Sequence, residues 1–385
     1  METKILNIFV CGKFHYHKYV QSIYEIGTLN KIFFSHKINQ TLELTDKNSY
    51  TNFYLKEYLL NAHLRIFGNF GIHIILPIYQ NIWIKQVQSK LDVAKVNLFL
   101  AHGTCLELMQ ECKNKGGIII AEVVNAHPQV LDKILTEEYI RLNLPYRIRN
   151  YLDERIIKEV NLADIVLAPS KSVAESYISK GIPESKIKII NYGCFPNKGK
   201  ELSLPAWSKN DQNHTFQILC VASINPRKGQ IHLLKAIKHI KQHNQNIKIE
   251  ITLVGSKNKD YFKKITELNV KFNYISHIEN KNMSTFMANY DLFVLPSLED
   301  GFAVVVGEAL SAGIPVIVTS TTGSSDIIEK INPKLVVPPG NFEELAKIIL
   351  NVIRNEIVYN PVYIEGWSEY AHQLNEEILM LNCNI

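Results

Sequence analysis

The chain has 385 residues, of which 46% are hydrophobic and 21% charged, and its formal net charge is +5. This length exceeds one ordinary core and predicts two domains of roughly 150–200 residues. The weakly basic balance is not the signature of a nucleic-acid-binding protein, so we expect no nucleic-acid partner; it suits small polyanionic substrates or an anionic membrane surface. No apolar run reaches the ~18 residues of a membrane span.

The cysteines point to a reducing compartment. No C-x-x-C pair or disulfide-like spacing occurs among them. The chain also enters a strand at residues 5–10 without a signal-peptide pattern, so we expect a cytoplasmic protein. The six cysteines are Cys11, Cys105, Cys112, Cys194, Cys220 and Cys383.

Strands and helices alternate along the first half of the chain. Short apolar runs predict strands at residues 5–10, 31–34, 97–101, 118–124, 165–168 and 187–190. Helical spacing of the apolar residues predicts helices at residues 16–26, 106–114, 129–142, 150–161 and 172–179.

A second series of the same kind follows a polar segment. Strands are predicted at residues 216–222, 249–254, 270–275, 292–295, 316–319 and 335–337. Helices are predicted at residues 231–243, 260–267, 283–289, 303–312, 342–353 and 367–381.

This alternation predicts an α/β protein with two Rossmann-like, doubly wound parallel sheets that face a central cleft. We place an N-terminal domain at residues 1–197, a linker at 198–213 and a C-terminal domain at 214–364. Clefts between domains commonly bind ligands.

The stretch 291–326 predicts a strand, a loop, a helix and a second strand in immediate succession. The loop carries the adjacent acids Glu299 and Asp300, and Gly313 ends the helix. Such a unit puts the N-terminus of a helix at the carboxyl edge of a parallel sheet, where open α/β sheets bind ligands.

The same unit offers groups for two parts of one ligand. Backbone amides near Gly301 and Phe302 favour an anion at the helix N-terminus. The carboxylates of Asp300 and Glu308 accept hydrogen bonds from hydroxyl groups. Amides for phosphate beside carboxylates for hydroxyls predict that the ligand is a sugar nucleotide.

Three further positions lie after predicted strands. Arg227 and Lys228 open a helix in the segment VASINPRKGQ, where the helix dipole disfavours cations, and this conflict favours a functional reason for them over a solvated pair. Gly12 follows the first strand and would let backbone approach a ligand. His127 follows the strand at 118–124, where a neutral imidazole could bind a sugar or simply cap the next helix.

The block DGFAVVVGEALSAGIPVIVT resembles the signature of family-4 retaining glycosyltransferases of the GT-B fold. The two acids of that signature fall on Asp300 and Glu308. The resemblance implies that Asp300 contacts the donor sugar, Glu308 the ribose, and the amides of Gly301 and Phe302 the sugar and phosphate. Lys228 stands where the family has its phosphate-binding lysine.

The resemblance extends, more loosely, over nearly the whole chain. It implies that His127 faces the reaction centre, that Gly12 belongs to the donor loop, and that a helix within residues 365–385 crosses back onto the N-terminal domain. The chain departs from the family at Ser223, where many relatives have a second arginine, and Arg227 is the candidate to replace it. Only one glycine, Gly12, stands where relatives often have two.

The resemblance also implies an activity. We expect a retaining, metal-independent transfer of a hexose-type residue from a UDP-, GDP- or ADP-sugar to a hydroxyl of a glycan or lipid-linked glycan, in surface polysaccharide synthesis and without a cofactor. Two alternatives stay open: a sugar-nucleotide epimerase on the same fold, and a non-catalytic subunit that binds a nucleotide sugar. For Asp300 and Glu308 themselves, a capping acid and a buried structural partner are the alternatives.

Residues 70–84, FGIHIILPIYQNIWI, are apolar and aromatic between Arg65 and Lys85. An interfacial segment in peripheral contact with the inner face of a membrane has this composition. A core helix broken at Pro77 has it as well, and we favour that reading.

Overall fold

The structure is a computed structural model that describes residues 4–12, 14–36, 46–68, 70–146, 150–195, 200–202, 214–279 and 283–383. Two parallel β-sheets, each with helices between its strands, form two α/β units with the Rossmann-like topology of the GT-B fold. The fold class predicted from the alternation of strands and helices is confirmed.

The N-terminal sheet has seven strands in the order β3-β2-β1-β4-β5-β6-β7, all parallel. Its central strands β1, β4 and β5 are buried along their whole length, which is why they are mostly apolar in sequence. The strands are β1 Leu6–Val10, β2 Leu29–Phe34, β3 Tyr50–Asn52, β4 Val96–Leu100, β5 Ile118–Glu122, β6 Ile165–Ala168 and β7 Ile187–Ile189.

The C-terminal sheet has six parallel strands in the order β11-β10-β9-β12-β13-β14. These strands are β9 Phe216–Val221, β10 Ile249–Val254, β11 Asn273–Ile275, β12 Leu292–Leu295, β13 Val316–Thr319 and β14 Val336–Val337. A separate antiparallel pair joins β8 Lys200–Leu202 to β15 Val362–Ile364.

Helices fill the connections between the strands. The first seven are α1 Val20–Ile26, α2 Leu55–Phe67, α3 Ile72–Gln88, α4 Leu106–Asn114, α5 Pro128–Arg141, α6 Asn150–Leu162 and α7 Lys171–Ile178. The others are α8 Gln230–His243, α9 Lys259–Thr266, α10 Met283–Met287, α11 Val304–Ser311, α12 Ser325–Ile331, α13 Phe342–Ile353 and α14 Trp367–Cys383.

The last helix, α14, packs against the N-terminal unit. Trp367 and Tyr370 of this helix stack with Tyr19 and Tyr192, at ring-centroid distances of 4.9 to 6.2 Å. Both tyrosines of the N-terminal unit donate hydrogen bonds to the buried carboxylate of Glu122, at 3.1 and 2.9 Å. The chain therefore returns to the unit in which it began.

The structure departs from the predicted elements in several places. The predicted helix at 16–26 is a 3₁₀ turn at His15–Lys18 followed by α1. Part of the predicted linker is strand β8, while residues 203–213 lie outside the described residues. Helix α3 runs through Pro77 without ending there, so the predicted break at this proline is wrong. The predicted domain boundaries stay predictions.

Candidate active site

The carboxyl ends of the strands of both sheets face each other across a cavity of about 770 Å³. This is the edge at which parallel sheets bind ligands. The N-terminal unit contributes residues after β1, β4 and β5, and the C-terminal unit contributes residues after β9 and β10. The lining includes Cys11, Phe14, His102, Thr104, Asn125, Ala126, Ser223, Asn225, Arg227, Ser256 and Lys257.

Lys228 and Asp300 form an ion pair next to this cavity. After β9, the Asn225 side chain accepts a hydrogen bond from the Lys228 amide at 3.2 Å and closes a 3₁₀ turn, which aims the lysine at the loop after β12. There Lys228 Nζ donates to Asp300 Oδ2, and both side chains are about 15% exposed. Two residues that lie 72 positions apart in the chain, and that the sequence predicts to bind one donor, therefore meet.

The amides predicted to bind phosphate lie beside this pair. Among the described residues, no acceptor takes the amide hydrogens of Gly301 and Phe302. Ala303, at the N-cap of α11, has no side chain that could cap the helix. Uncapped amides at a helix N-terminus carry partial positive charge and bind anions. The Phe302 ring packs edge-on against Tyr192, with centroids 5.8 Å apart.

Gly301 brings the two units into backbone contact. A Cβ on Gly301 would lie 1.7 Å from the Val124 carbonyl oxygen, so only glycine fits there. The Gly301 carbonyl accepts a hydrogen bond of 2.9 Å from Ser170 of the N-terminal unit. The loop that carries Asp300 is thus held against the N-terminal sheet edge.

Arg227 also joins the two units. Its Nε donates to the Glu299 carboxylate at 2.7 Å, and its guanidinium donates to Asn125 at 2.7 Å. The other oxygen of Glu299 accepts the amide of Ala126 at 2.9 Å. Glu299 is 3% exposed. Arg227 lines the cavity, but its charge is matched by Glu299, so contact with a phosphate would require it to change partners.

Glu308 has a cationic neighbour that the sequence analysis gave no role. Burial raises the pKa of Glu308, and Lys18 of the N-terminal unit opposes this shift. Burial lowers the pKa of Lys18, and Glu308 opposes it. The Lys18 ammonium lies 5.3 Å from the Trp367 ring centroid. One sequence feature could have indicated this role for Lys18. It is a lysine in the segment after β1, at the edge of the sheet that faces the cleft.

His127 occupies the position of a helix cap. Its Nδ1 accepts a hydrogen bond from the Gln129 amide at 3.2 Å, and its ring packs edge-on against Tyr177. Burial lowers the pKa of His127 to about 4, with a contribution from Lys180. The imidazole is therefore neutral near pH 7 and carries its proton on Nε2. His127 is not among the residues that line the cavity, although Ala126 and Pro128 are.

The remaining N-terminal positions divide between the cavity and its wall. Gly12 has φ of +125°, a conformation that favours glycine, and its carbonyl accepts a hydrogen bond from His36. His102 lines the cavity and stacks on Phe14 at 4.1 Å, and its buried Nε2 has no hydrogen-bond partner in the described part of the chain. Burial lowers the pKa of His102 to about 4.

Ser223, where relatives of the resembled family often have an arginine, also lines the cavity. Its hydroxyl lies 3.3 Å from that of Ser256, and its carbonyl accepts from Gln230. The departure from the family pattern therefore leaves a small polar surface at this point of the cavity wall.

Comparison with known families and proteins finds similarity to glycosyltransferases. Residues 205–373 match the family model described as glycosyl transferases group 1. The amylovoran biosynthesis glycosyltransferase AmsK of Erwinia amylovora is 24% identical over 225 residues, covering 56% of this chain and 54% of that protein. The capsular polysaccharide biosynthesis glycosyltransferase CapM of Staphylococcus aureus is 25% identical over 243 residues, covering 60% and 62%. The chain thus spans little more than half the length of these relatives.

Solved structures resemble the whole chain. A sucrose-phosphate synthase from Thermosynechococcus elongatus has a TM-score of 0.63 at 15% identity, covering 99% of this chain and all of that one. The apo structure of OtsA has the same TM-score at 11% identity and covers 97% and 99%. At these identities the likeness establishes the GT-B fold alone. The chain thus has a GT-B fold, and its residues 205–373 are similar in sequence to the glycosyl transferases group 1 family.

Proposed function

We propose that this protein is a glycosyltransferase that moves a sugar from a nucleoside diphosphate donor to a hydroxyl group of a glycan or lipid-linked glycan. The observation that carries this proposal is the ion pair between Lys228 and Asp300. It lies beside the amides of Gly301 and Phe302, which donate to no acceptor within the described residues. A cation and free amides match a diphosphate, while a carboxylate matches sugar hydroxyls. The relatives named for capsule and amylovoran biosynthesis support a role in surface polysaccharide synthesis.

In the proposed reaction the bond between the anomeric carbon and the diphosphate oxygen breaks, and the diphosphate leaves with the bonding electrons. Lys228 and the amides at the start of α11 stabilise the charge that develops on that oxygen. The acceptor hydroxyl attacks the anomeric carbon from the same face and gives its proton to the departing phosphate. These reaction steps retain the anomeric configuration and require neither a metal nor a cofactor.

The other residues hold the donor. We assign Asp300 to the sugar hydroxyls and Glu308 to the ribose. Lys18 supplies a second positive charge from the N-terminal unit. Gly12 shapes the loop after β1, which leads to Lys18. We assign the Nε2–H of His127 to a sugar oxygen, which requires the ring to reach the cavity that its neighbours Ala126 and Pro128 line. Arg227 helps to hold the two units together through its ion pair with Glu299. It can contact a phosphate only if this ion pair opens.

Hydrolysis of the donor in the absence of an acceptor tests the proposal. Thermal-shift screening against UDP-, GDP- and ADP-sugars selects the donor, because a bound ligand raises the unfolding temperature. With that donor, we expect slow release of nucleoside diphosphate, and we expect Lys228→Ala to lower the rate by about 100-fold, as for loss of one group that stabilises a developing anion.

The matched control is Lys241→Ala, which removes an exposed lysine from α8 and should leave the rate unchanged. Binding of a donor with no turnover under any condition would favour the non-catalytic alternative. Release of an altered free sugar nucleotide, without any acceptor, would favour an epimerase. The anomeric proton coupling of the product, read by NMR, tests retention of configuration.

A further inference from the structure

The hairpin formed by α2 and α3 presents a bare apolar tip. Four large apolar residues lie in the turn between these helices or at the adjoining helix ends. Their exposed fractions are 72% for Ile66, 58% for Phe67, 83% for Phe70 and 63% for Ile74. Soluble proteins rarely expose several large apolar side chains next to one another. Where they do, the exposed apolar patch marks an interaction site. We call these four residues the hairpin tip.

The packing of the fold does not explain the hairpin tip. Helix α3 is anchored in the N-terminal unit by its second half, where Trp83, Ile84 and Val87 are buried. The apolar residues of its first half belong to neither buried core cluster, and Ile74 and Ile78 there are 63% and 55% exposed. The core therefore gives no reason for large apolar side chains at the hairpin tip.

The charged residues of the segment that carries the hairpin tip all have one sign. From Tyr58 to Gln88 the sequence contains no aspartate or glutamate. It contains Arg65, directly beside the hairpin tip, and Lys85, in the last turn of α3, and both are exposed in the structure. Apolar side chains that insert among headgroups, flanked by cations without acids, match the chemistry of an anionic lipid surface. None of the described helices has the length and apolarity to cross a bilayer.

We propose that the hairpin tip docks this protein onto the surface of an anionic lipid bilayer. Helix α2 begins close to the cleft: Lys56 and Glu57, in its first turn, lie in one network with Ser35 and with Cys11, which lines the cavity. A helix of 13 residues spans about 20 Å. Docking therefore holds the cleft about one helix length from the lipid surface, within reach of an acceptor anchored there.

Co-sedimentation with lipid vesicles tests this docking on the full chain. The probes are vesicles of phosphatidylcholine with and without phosphatidylglycerol, at low and high salt. We expect binding to the anionic vesicles, weakened by salt because the Arg65 and Lys85 contribution is screened. The variant Phe70→Ser/Ile74→Ser should bind at least about tenfold more weakly, since each side chain loses apolar burial.

The control is Ile140→Ser/Val358→Ser, which removes two single apolar residues that are 73% and 75% exposed elsewhere on the surface. It should bind vesicles like the unchanged protein. Arg65→Gln/Lys85→Gln should lose the preference for phosphatidylglycerol and keep a weaker, salt-independent binding. Donor hydrolysis, which needs no membrane, should be the same in all three variants and shows that each is folded.

Equal vesicle binding by Phe70→Ser/Ile74→Ser and the unchanged protein would overturn the proposal, as would the absence of binding to anionic vesicles. A concentration-dependent dimer in light scattering that disappears in this variant would also overturn it, because the hairpin tip would then bind a second copy of the chain. None of these results bears on the glycosyl transfer, which is measured separately by donor hydrolysis.

Discussion

At the residue level, the contact between Lys228 and Asp300 has two consequences for a ligand. Without a donor, each charge satisfies the other in a largely buried setting, where an unpaired charge would be costly. A diphosphate that binds Lys228 must therefore compete with Asp300. In the proposed function a complete sugar nucleotide relieves this competition, because its sugar hydroxyls would give Asp300 new hydrogen-bond donors.

Substitution of Asp300→Asn should separate binding of the nucleotide from turnover. Loss of the competing charge should leave binding of the nucleoside diphosphate unchanged or tighten it, by up to roughly tenfold. Loss of the charged acceptor for sugar hydroxyls should lower kcat/KM for the donor by roughly 10- to 100-fold, the range for hydrogen bonds to charged groups. Calorimetry of diphosphate binding and donor hydrolysis measure the two effects.

Asp260→Asn, which neutralises an exposed acid in the first turn of α9, is the matched control and should change neither quantity. A parallel loss of diphosphate affinity and turnover in Asp300→Asn would mean that Asp300 only supports the fold of its loop. That result would favour the structural alternative considered from the sequence.

The residues that the sequence analysis singled out and those that it passed over differ in a physical way. Asp300 and Lys228 follow buried strands, and a strand followed by a turn places a side chain at the sheet edge by local rules alone. Glu299 and Lys18 act through partners in the other unit: Glu299 accepts the amide of Ala126, 173 positions away. A contact of that kind depends on how two sheets face each other, which the local pattern does not contain.

At the level of elements, the loop between β12 and α11 links the two units through several contacts. It contributes the close approach of Gly301 to Val124 and the contacts of Glu299 with Arg227 and Ala126. The same loop carries Asp300. Contact between the units and the arrangement of the donor site are therefore mechanically coupled through one segment.

We expect Glu299→Gln to weaken that coupling. Gln keeps the size of the side chain and loses the charge that pairs with Arg227, so the free energy of unfolding should fall by about 1–3 kcal/mol, as for loss of a charged hydrogen bond at a buried group. The donor KM should rise as well, because the loop carrying Asp300 loses a fixed contact. Urea unfolding and donor kinetics measure the two effects.

Glu175→Gln provides the comparison, because Glu175 forms an exposed ion pair with Lys171 at 3.9 Å, and such pairs contribute less than about 1 kcal/mol. Equal stability of the Glu299→Gln and Glu175→Gln variants would show that the Glu299 contacts do not hold the units together.

The predicted elements were most accurate where the chain is buried on both sides. Strands β9, β10, β12 and β13 appear within a residue or so of their predicted bounds, because strands covered by helices on both faces are predominantly apolar. Helix α2 was not predicted, because it begins without a side-chain cap and leaves many of its apolar residues exposed. The paired strands β8 and β15, three residues each, were not predicted either, because their partners are 160 to 164 positions apart.

Residues 70–84 have one apolar sequence pattern, but the tertiary structure buries the two halves of the segment to different extents. The second half of α3 is the core helix that we favoured, anchored by Trp83. The first half exposes Ile74 and Ile78, as the interfacial alternative required. An apolar composition alone does not separate these cases, because it is the same on the buried and the exposed half.

At the level of the whole molecule, the two sheets turn their carboxyl edges toward one cleft, and α14 returns from the C-terminal unit to the aromatic cluster around Glu122. The arrangement was predictable from the double series of strands and helices. The cavity was not, because its volume depends on which side chains from the two units meet across it.

The account depends on a pyrophosphate that binds between Lys228 and the start of α11. A crystal structure with the donor selected by thermal shift tests this directly, through the distance from Lys228 Nζ to the nearest phosphate oxygen. We predict a contact of about 3 Å, with the Gly301 and Phe302 amides pointing to the same phosphate and Asp300 turned to the sugar. A well-ordered nucleotide elsewhere on the protein, with the Lys228–Asp300 pair intact, would contradict the account.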